Sequence, residues 1–430
     1  MILRKPVYFD SFHCIGSACK DTCCAGWEVE IDEESAAGYH DIDGEIGERL
    51  KANITETEEE IYFNLREDKR CPFLNEDNLC DLILHLGEDS LCDICREHPR
   101  HYEWFGRYTE VGLGLCCEEA GRLIFSSPEK ITYIEMSDDG SRISDDGLQA
   151  RTEMQAGDEM QARTEMKAEA DMQGEQDMQS ADEEMQELKD GEYIELMLKA
   201  RRTAFSIIQN RHIPLSERLI LLLQYAEELQ ESLDIDDYEA FTQSVQIYEN
   251  QKACYQAWMQ VKTMLGEQKS GSEAVVYLHD LLDIYAGLES LDGSFNERMR
   301  ELHGYVGDEK ALEAFRQGYP QAEAYEYEHF SMYLIYRYFM QTLFDGDLSG
   351  KMKFVVISVI ILRLMDVQTA NERKAGMKED DVVFSLQDRI ENAKQYSKEV
   401  EYCTDNMDAL GSLCWEEECM STEALIMMLE

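Results

Sequence analysis

From Tyr193 to the end of the chain, apolar residues return at helical spacing and strand-like alternation is scarce. Pro214 stands where a helix can begin, ahead of LSERLILLLQYAEEL. Asp237 can cap a helix through DYEAFTQSVQIYENQKACYQAWMQVKTML, and Pro320 opens a long aromatic-rich one. Gly287, Gly304 and Gly346 supply breaks. The pattern predicts an all-α domain over residues 191–430, built of roughly seven to nine helices. The longest apolar run, Phe354 to Met365, contains Arg363 and is shorter than the roughly 18 residues that cross a bilayer. It reads as a buried helix, and no membrane insertion is expected.

Upstream the patterning changes twice. Residues 131–190 are polar and repetitive, with QARTEM, QAGDEM, QARTEM, KAEADM and QGEQDM in succession. Six residues turn a helix through about 600°, or about 240° net. Met154, Met160, Met166, Met172 and Met178 therefore fall on different faces and form no core-facing stripe. So polar a segment cannot offset its ordering entropy by burial, and it reads as a linker or a solvated helix. Residues 1–130 carry only short helical or strand patterns between cysteines. The expected architecture is mainly α: a small cysteine-rich, metal- or cluster-binding N-terminal domain, the methionine-repeat linker, and the all-α C-terminal domain.

Composition narrows the function. The first residues, MILRKPVYFDSF, show no apolar stretch followed by a small-residue cleavage site, so a cytoplasmic location is expected. Thiols stay reduced there, and a dense set of cysteines is better explained by metal or cluster ligation than by disulfides. The net charge of −50 opposes nucleic acid, whose phosphates need Lys and Arg to release counterions. An acidic surface attracts basic, lysine-bearing partners, or simply keeps the protein solvated.

The cysteines fall in groups. Cys14, Cys19, Cys23 and Cys24 lie in FHCIGSACKDTCCAGW, where Gly16 and Gly26 allow tight turns. Cys71 and Cys80 flank an NEDN turn in CPFLNEDNLC, a candidate ligand hairpin. Cys92 and Cys95 form a Cys-x-x-Cys whose sulfurs can face one metal, and Cys116 and Cys117 close the region. Adjacent pairs such as Cys23 and Cys24 are expected to diverge, leaving one member of each outside the ligand set. His98, beside Pro99 and Arg100, is expected to be structural rather than a ligand. Gly112 and Gly114 in VGLGLCC read as a packed turn rather than a nucleotide loop, because no helix pattern follows them.

PVYFDSFHCIGSACKDTCCAGWEVEID, CPFLNEDNLCDL and LCDICREHPR together resemble the flagellin lysine-N-methylases, densely over roughly residues 6–120. EYEHFSMYLIYRYFMQTLFDGD extends the resemblance more loosely into the helical half, and the methionine repeats depart from it. The resemblance implies methyl transfer from S-adenosylmethionine to lysine ε-amines of flagellin, with an iron–sulfur cluster, of the 4Fe–4S type, in the enzyme. Zinc is the alternative occupant of the thiolates. A neutral lysine amine can displace the sulfonium methyl in line, given alignment and a proton acceptor. Tyr325, Glu326, Tyr327, Glu328 and His329 are candidates for that acceptor, as are Asp345 and Asp347, but no catalytic residue is assigned. With no nucleotide loop in view, an iron lacking a cysteine ligand is the expected seat for the amino and carboxylate groups of the methyl donor. A non-enzymatic protein stapled by a structural metal is the competing reading.

Overall fold

The computed structural model describes residues 1–20, 22–25, 29–57, 60–137, 141–143, 175–267, 271–307, 310, 312–313, 325–376 and 384–429. The repeat from Met154 to Met172, Gly26 and Pro320 lie outside the described residues.

The N-terminal strand β1 (Ile2–Pro6) becomes the centre of a five-stranded sheet. It pairs in parallel with β5 (Tyr108–Leu113) on one side and antiparallel with β6 (Tyr133–Ser137) on the other. The hairpin partner β4 (Arg100–Phe105) and the short β7 (Arg142–Ile143) complete the order β4-β5-β1-β6-β7. β6 falls inside the stretch expected as linker. It is a strand because its backbone pairs with β1 along its whole length, with Tyr133 packed on the core and Glu135 meeting Arg4 at 3.0 Å.

Between β1 and β4 the chain makes a small unit with its own apolar core. It contains helices α1 (Glu33–His40), α2 (Gly44–Asn53), α3 (Asp81–Leu86) and α4 (Asp93–Glu97), and the two-stranded ribbon β2 (Ile54–Glu56) and β3 (Ile61–Phe63). Leu50, Phe63 and Phe73 sit at its centre, with the two phenyl rings edge to face at 5.1 Å. Asp32 starts two of these helices at once. Its Oδ1 accepts from Ser35 N at 2.8 Å and its Oδ2 from Asp93 N at 2.9 Å, supplying partners that helix N-termini lack.

The rest is helical, as the periodicity predicts. After α5 (Glu118–Phe125) come α6 (Glu175–Ile208), α7 (Leu215–Asp234), α8 (Tyr238–Glu249), α9 (Gln251–Glu267), α10 (Gly271–Ala286) and α11 (Ser294–Tyr305). They are followed by α12 (Tyr325–Tyr338), α13 (Thr342–Asp345), α14 (Leu348–Gly376), α15 (Leu386–Tyr396), α16 (Thr404–Glu416) and α17 (Thr422–Leu429). Twelve helices begin at or after position 175 among the described residues, more than the seven to nine expected. One reason is Asn250, whose side chain accepts from Lys252 N at 3.0 Å and Ala253 N at 3.1 Å. It cuts the long helix begun at Asp237 into α8 and α9. Gly304, expected as a break, lies inside α11.

The apolar run from Phe354 to Met365 is the middle of α14, which packs against α7, α12, α15, α16 and α17. Val355, Val359, Leu362 and Met365 are buried, so the helix is apolar because it is surrounded by protein. Among the described residues no helix is long and apolar enough to cross a membrane. Buried polar groups on α14 are paired: Asp366 accepts from Tyr327 at 2.8 Å and Asn392 at 2.7 Å, and meets Arg389.

One continuous core holds sheet and helices together. Phe105, Tyr108, Ile124 and Ile131 pack with residues of α6, α7, α12 and α14. At its edge Glu110 of β5 receives Arg201 of α6 (Nη1 to Oε2, 2.7 Å) and lies 3.3 Å from Arg4 of β1, all three buried. Arg201 also donates to the carbonyl of Tyr336 in α12 at 3.2 Å. Replacing Glu110 with Ala leaves the buried Arg201 without its carboxylate and Arg4 with Glu135 alone, at 3.0 Å, which costs about 3–5 kcal/mol. Denaturant unfolding of the full chain should show that loss, whereas Glu45→Ala on the exposed start of α2 should change stability by less than about 0.5 kcal/mol.

Candidate metal centre

The hairpin CPFLNEDNLC forms as its turn residues dictate. Asn75 Oδ1 accepts from Asp77 N and Leu79 N, both at 3.0 Å, and Asn75 N donates to Leu79 O at 2.9 Å. A bridge between Leu74 and Cys80 closes it, bringing Cys80 back beside Cys71. Cys71 N donates to Cys24 O at 2.8 Å, so the first cysteine segment is hydrogen-bonded to this hairpin. The third segment is set by Tyr39, whose hydroxyl accepts from Cys92 N at 2.9 Å and donates to Ser90 O at 2.8 Å. Cys92 then opens α4, and Cys95 follows one turn later on the same side.

These three segments bring sulfurs from distant positions to one face of the small apolar core, where Cys71 and Cys92 are buried and Cys24, Cys80 and Cys95 half-buried. Their ionisations report the proximity. The Cys95 thiol donates to Cys92, holding the Cys92 pKa down and its own far up; Cys24 and Cys71 add to the field on Cys95. Burial, with Cys80 and Cys92 nearby, pushes Cys71 up to about 11. Cys23 and Cys24, expected to diverge, approach to 3.9 Å between sulfurs. Their hydrogen bond and burial raise the Cys23 pKa, and Cys80 and Cys117 both feel Cys23.

The remaining cysteines are placed otherwise. Cys14 is exposed and accepts from Gly16 N at 3.5 Å; Cys19 donates to Glu118 at 3.7 Å. Burial lifts Cys117 to about 11 at the start of α5. Cys116 points the other way, buried 3.8 Å from His98 Nε2 and hydrogen-bonded to Tyr402. Among the described residues no three His, Cys, Asp or Glu side chains meet at distances that hold a metal ion. The donor set nevertheless suits a soft metal or a cluster by its chemistry: Cys23, Cys24, Cys71, Cys80, Cys92 and Cys95 are neighbours, and thiolates are the ligands such centres take. Closing them on an ion requires side-chain rotation.

Beside this centre the segment VGLGLCC is the end of β5 and a turn that lead into α5, so a helix does follow it. The expectation of no helix is corrected here; its first turn carries Glu118 and Glu119, which an anion would not favour. The glycines serve close packing. A Cβ on Gly112 would sit 2.3 Å from His101 Nε2, and one on Gly114 1.9 Å from the Tyr402 hydroxyl. Across that approach lies a buried polar group on α12 and the wide π-turn Ser397–Glu401. Glu401 Oε2 accepts from Tyr333 and Tyr338, each at 2.9 Å, and Arg337 Nη1 donates to Tyr333 at 2.8 Å. The Arg337 guanidinium lies 4.9 Å from the Tyr402 ring centre and 5.5 Å from that of Tyr338. Burial keeps all three phenols protonated well above their usual range. Burial, aided by Lys398, lowers His98 to about 4, and burial with Arg337 holds His101 well below its ordinary value.

The acid–base candidates read from sequence do not converge. Glu328 is buried between Arg211 and Arg218, both donating at 2.8 Å, and these hold its pKa down against the opposing effect of burial. Tyr325 donates to Phe125 O and His329 Nδ1 meets Ile124 O, each at 2.7 Å, tying α12 to α5. Tyr327 serves Asp366, and buried Glu326 Oε2 has no partner among the described residues. Asp347 accepts from Gly350 N at the start of α14, and Asp345 pairs with Lys351. Sequence reasoning missed the Glu401 group, whose members Arg337, Tyr333 and Tyr338 look like ordinary core spacing on α12.

The profile of the FliB lysine N-methylase C-terminal domain matches residues 201–428, from the paired Arg201 to the last helix. The chain belongs to this family. It is similar to the lysine-N-methylases of Salmonella choleraesuis strain SC-B67 (26% identical over 145 residues) and Salmonella typhimurium strain LT2 (25% over 145 residues). These matches cover 31% of this chain and 35% of each relative, so the matched stretch spans about a third of the curated lysine-N-methylases. The flagellar biosynthetic protein FliU of Salmonella muenchen is 28% identical over 145 residues, covering 31% of this chain and 82% of that protein. No solved structure matches.

Family membership rests on the helical half, and the cysteine centre is tested separately by metal content. Ala in place of Cys71, Cys80, Cys92 or Cys95 should at least halve the metal bound per folded protein. Ala at Cys254, Cys403, Cys414 or Cys419, which lie outside the N-terminal cysteine segments, should leave it within about 20% of wild type. Equal losses in both sets, measured by elemental analysis after anaerobic purification, would refute the assignment.

Proposed function

We propose that the protein transfers a methyl group from S-adenosylmethionine to the ε-amine of protein lysines, with flagellin as the substrate, and that its clustered thiols hold an iron–sulfur centre. The observation that carries the reading is the match of residues 201–428 to the lysine N-methylase family. The names of the Salmonella relatives support it, and the net charge of −50 suits capture of a lysine-bearing partner.

Cys71, Cys80, Cys92 and Cys95, with Cys23 or Cys24, would hold the centre. When bound it would cross-link the three cysteine segments, as a structural metal does with apparent energies on the order of 10–16 kcal/mol for zinc. The chain's own residues have the rest of the work. They must present the amine unprotonated, align it with the sulfonium methyl and exclude water, contributions that positioning alone can make large. As the C–N bond forms, the C–S electrons return to sulfur and the amine proton passes to an acceptor.

A structural zinc without catalysis is the second reading, favoured by the 3.9 Å between Cys23 and Cys24 sulfurs. Two ligands at about 2.3 Å from a tetrahedral zinc are about 3.8 Å apart. Anaerobically purified protein incubated with flagellin and S-adenosylmethionine separates the two readings. The expected outcome is brown protein containing iron and acid-labile sulfide, and a mass increase on flagellin lysines of one or more methyl groups. Colourless protein with stoichiometric zinc and unmodified flagellin would establish the structural reading instead.

A further inference from the structure

The Glu401 group beside Gly114 is incomplete as a set of hydrogen bonds. Glu401 has a fully buried side chain, with Oε2 used by two tyrosines, yet its Oε1 has no partner among the described residues. Arg337 spends Nη1 on Tyr333, and its Nε and Nη2 enter no hydrogen bond among the described residues; its side chain keeps 14% of its surface exposed. Both imidazole nitrogens of His101 are buried near Arg337 without partners. Native interiors satisfy such atoms, and an unpaired buried carboxylate oxygen is costly. Arg337 Nη1 lies 3.6 Å from Glu401 Oε2, so a guanidinium edge and a carboxylate oxygen that lack hydrogen bonds belong to one ion pair, open to an anion on one member and a cation on the other.

Charge decides what fits. An ammonium alone would add a second positive charge beside Arg337, and a carboxylate alone a second negative one beside Glu401, which a buried pair does not tolerate. A zwitterion adds no net charge and offers each group its complement: a carboxylate for the planar guanidinium fork and an ammonium for Glu401 Oε1. Access runs past Tyr402, which is 40% exposed although its hydroxyl reaches inward over Gly114. We propose that Arg337 and Glu401 hold the amino-acid end of the methyl donor, its α-carboxylate on Arg337 and its α-ammonium on Glu401 Oε1, with Tyr402 as the cover. The inference rests on the reading of the chain as an S-adenosylmethionine-dependent methyltransferase, and it places that end on protein side chains rather than on an open iron.

Binding of three probes to the metal-loaded full-length protein, followed by calorimetry without any methyl acceptor, tests it. S-adenosylmethionine carries both groups, decarboxylated S-adenosylmethionine lacks the carboxylate, and 5′-methylthioadenosine lacks the whole amino-acid end. Arg337→Gln and Glu401→Gln should each weaken S-adenosylmethionine at least about tenfold, as expected for one charge-assisted contact, and leave 5′-methylthioadenosine within twofold. The decarboxylated probe should bind wild type at least about tenfold more weakly than S-adenosylmethionine, and should lose no more than twofold further on Arg337→Gln. Equal binding of S-adenosylmethionine by folded variants and wild type overturns the proposal. So does equal loss of all three probes, which marks a merely structural role, and so does failure of wild type to bind S-adenosylmethionine. If the variants do not fold, the wild-type comparison decides: a decarboxylated probe that binds as tightly as S-adenosylmethionine overturns the assignment. Binding as expected together with unmodified flagellin would sink the proposed substrate while leaving this site standing.

Discussion

The buried pairing of Glu110 with Arg201 and Arg4 is the constraint on which the two halves of the molecule depend. A carboxylate and two guanidiniums removed from water must find one another, and here they come from β5, α6 and β1. That requirement fixes the sheet against the helical bundle in one register, since shifting β5 by one residue would turn Glu110 to the opposite face. Tyr336 follows the same rule from α12, its hydroxyl donating to Arg4 O at 2.9 Å. Sheet and bundle then share a core, so position 130 marks a change of composition while packing runs straight across it.

Fixing β5 also fixes what comes after it. Gly114 and Cys116 emerge against α12 and the π-turn, where Leu115 N donates to Tyr333 OH at 3.3 Å. The cysteine centre lies on one side of this junction and the Glu401 group on the other, with Cys116 and Cys117 pointing toward different neighbours. Adjacent residues on a strand or turn diverge, and here that divergence separates two chemistries: thiols gathered around a small apolar core, and a carboxylate–guanidinium pair walled by phenols. A rigid junction of this kind can hold a metal-stapled unit and a polar niche at a set separation.

Much was written locally. The turn in CPFLNEDNLC follows from Asn75 bonding its own backbone, the Asp237 cap from a side chain reaching Ala240 N at 2.9 Å, and the interior position of α14 from a run with no polar face. Such features need only neighbours in sequence, which is why period and residue type reveal them. Asn250 was as local, but its capping signal was hidden within an apolar periodicity that continues across it.

The ten clustered cysteines and the helical periodicity determined by themselves that the chain has a thiol-rich N-terminal part and a helical remainder. Which thiols become neighbours, the role of Gly112 and Gly114, and the unpaired oxygen of Glu401 were decided only by the tertiary structure. The physical reason is separation along the chain: Glu401 lies 63 and 68 residues from the tyrosines that bind it, and Gly114 is glycine because of Tyr402. A contact made by packing leaves no period in the sequence, and so Arg337, Tyr333 and Tyr338 read as core until the opposing turn was brought against them.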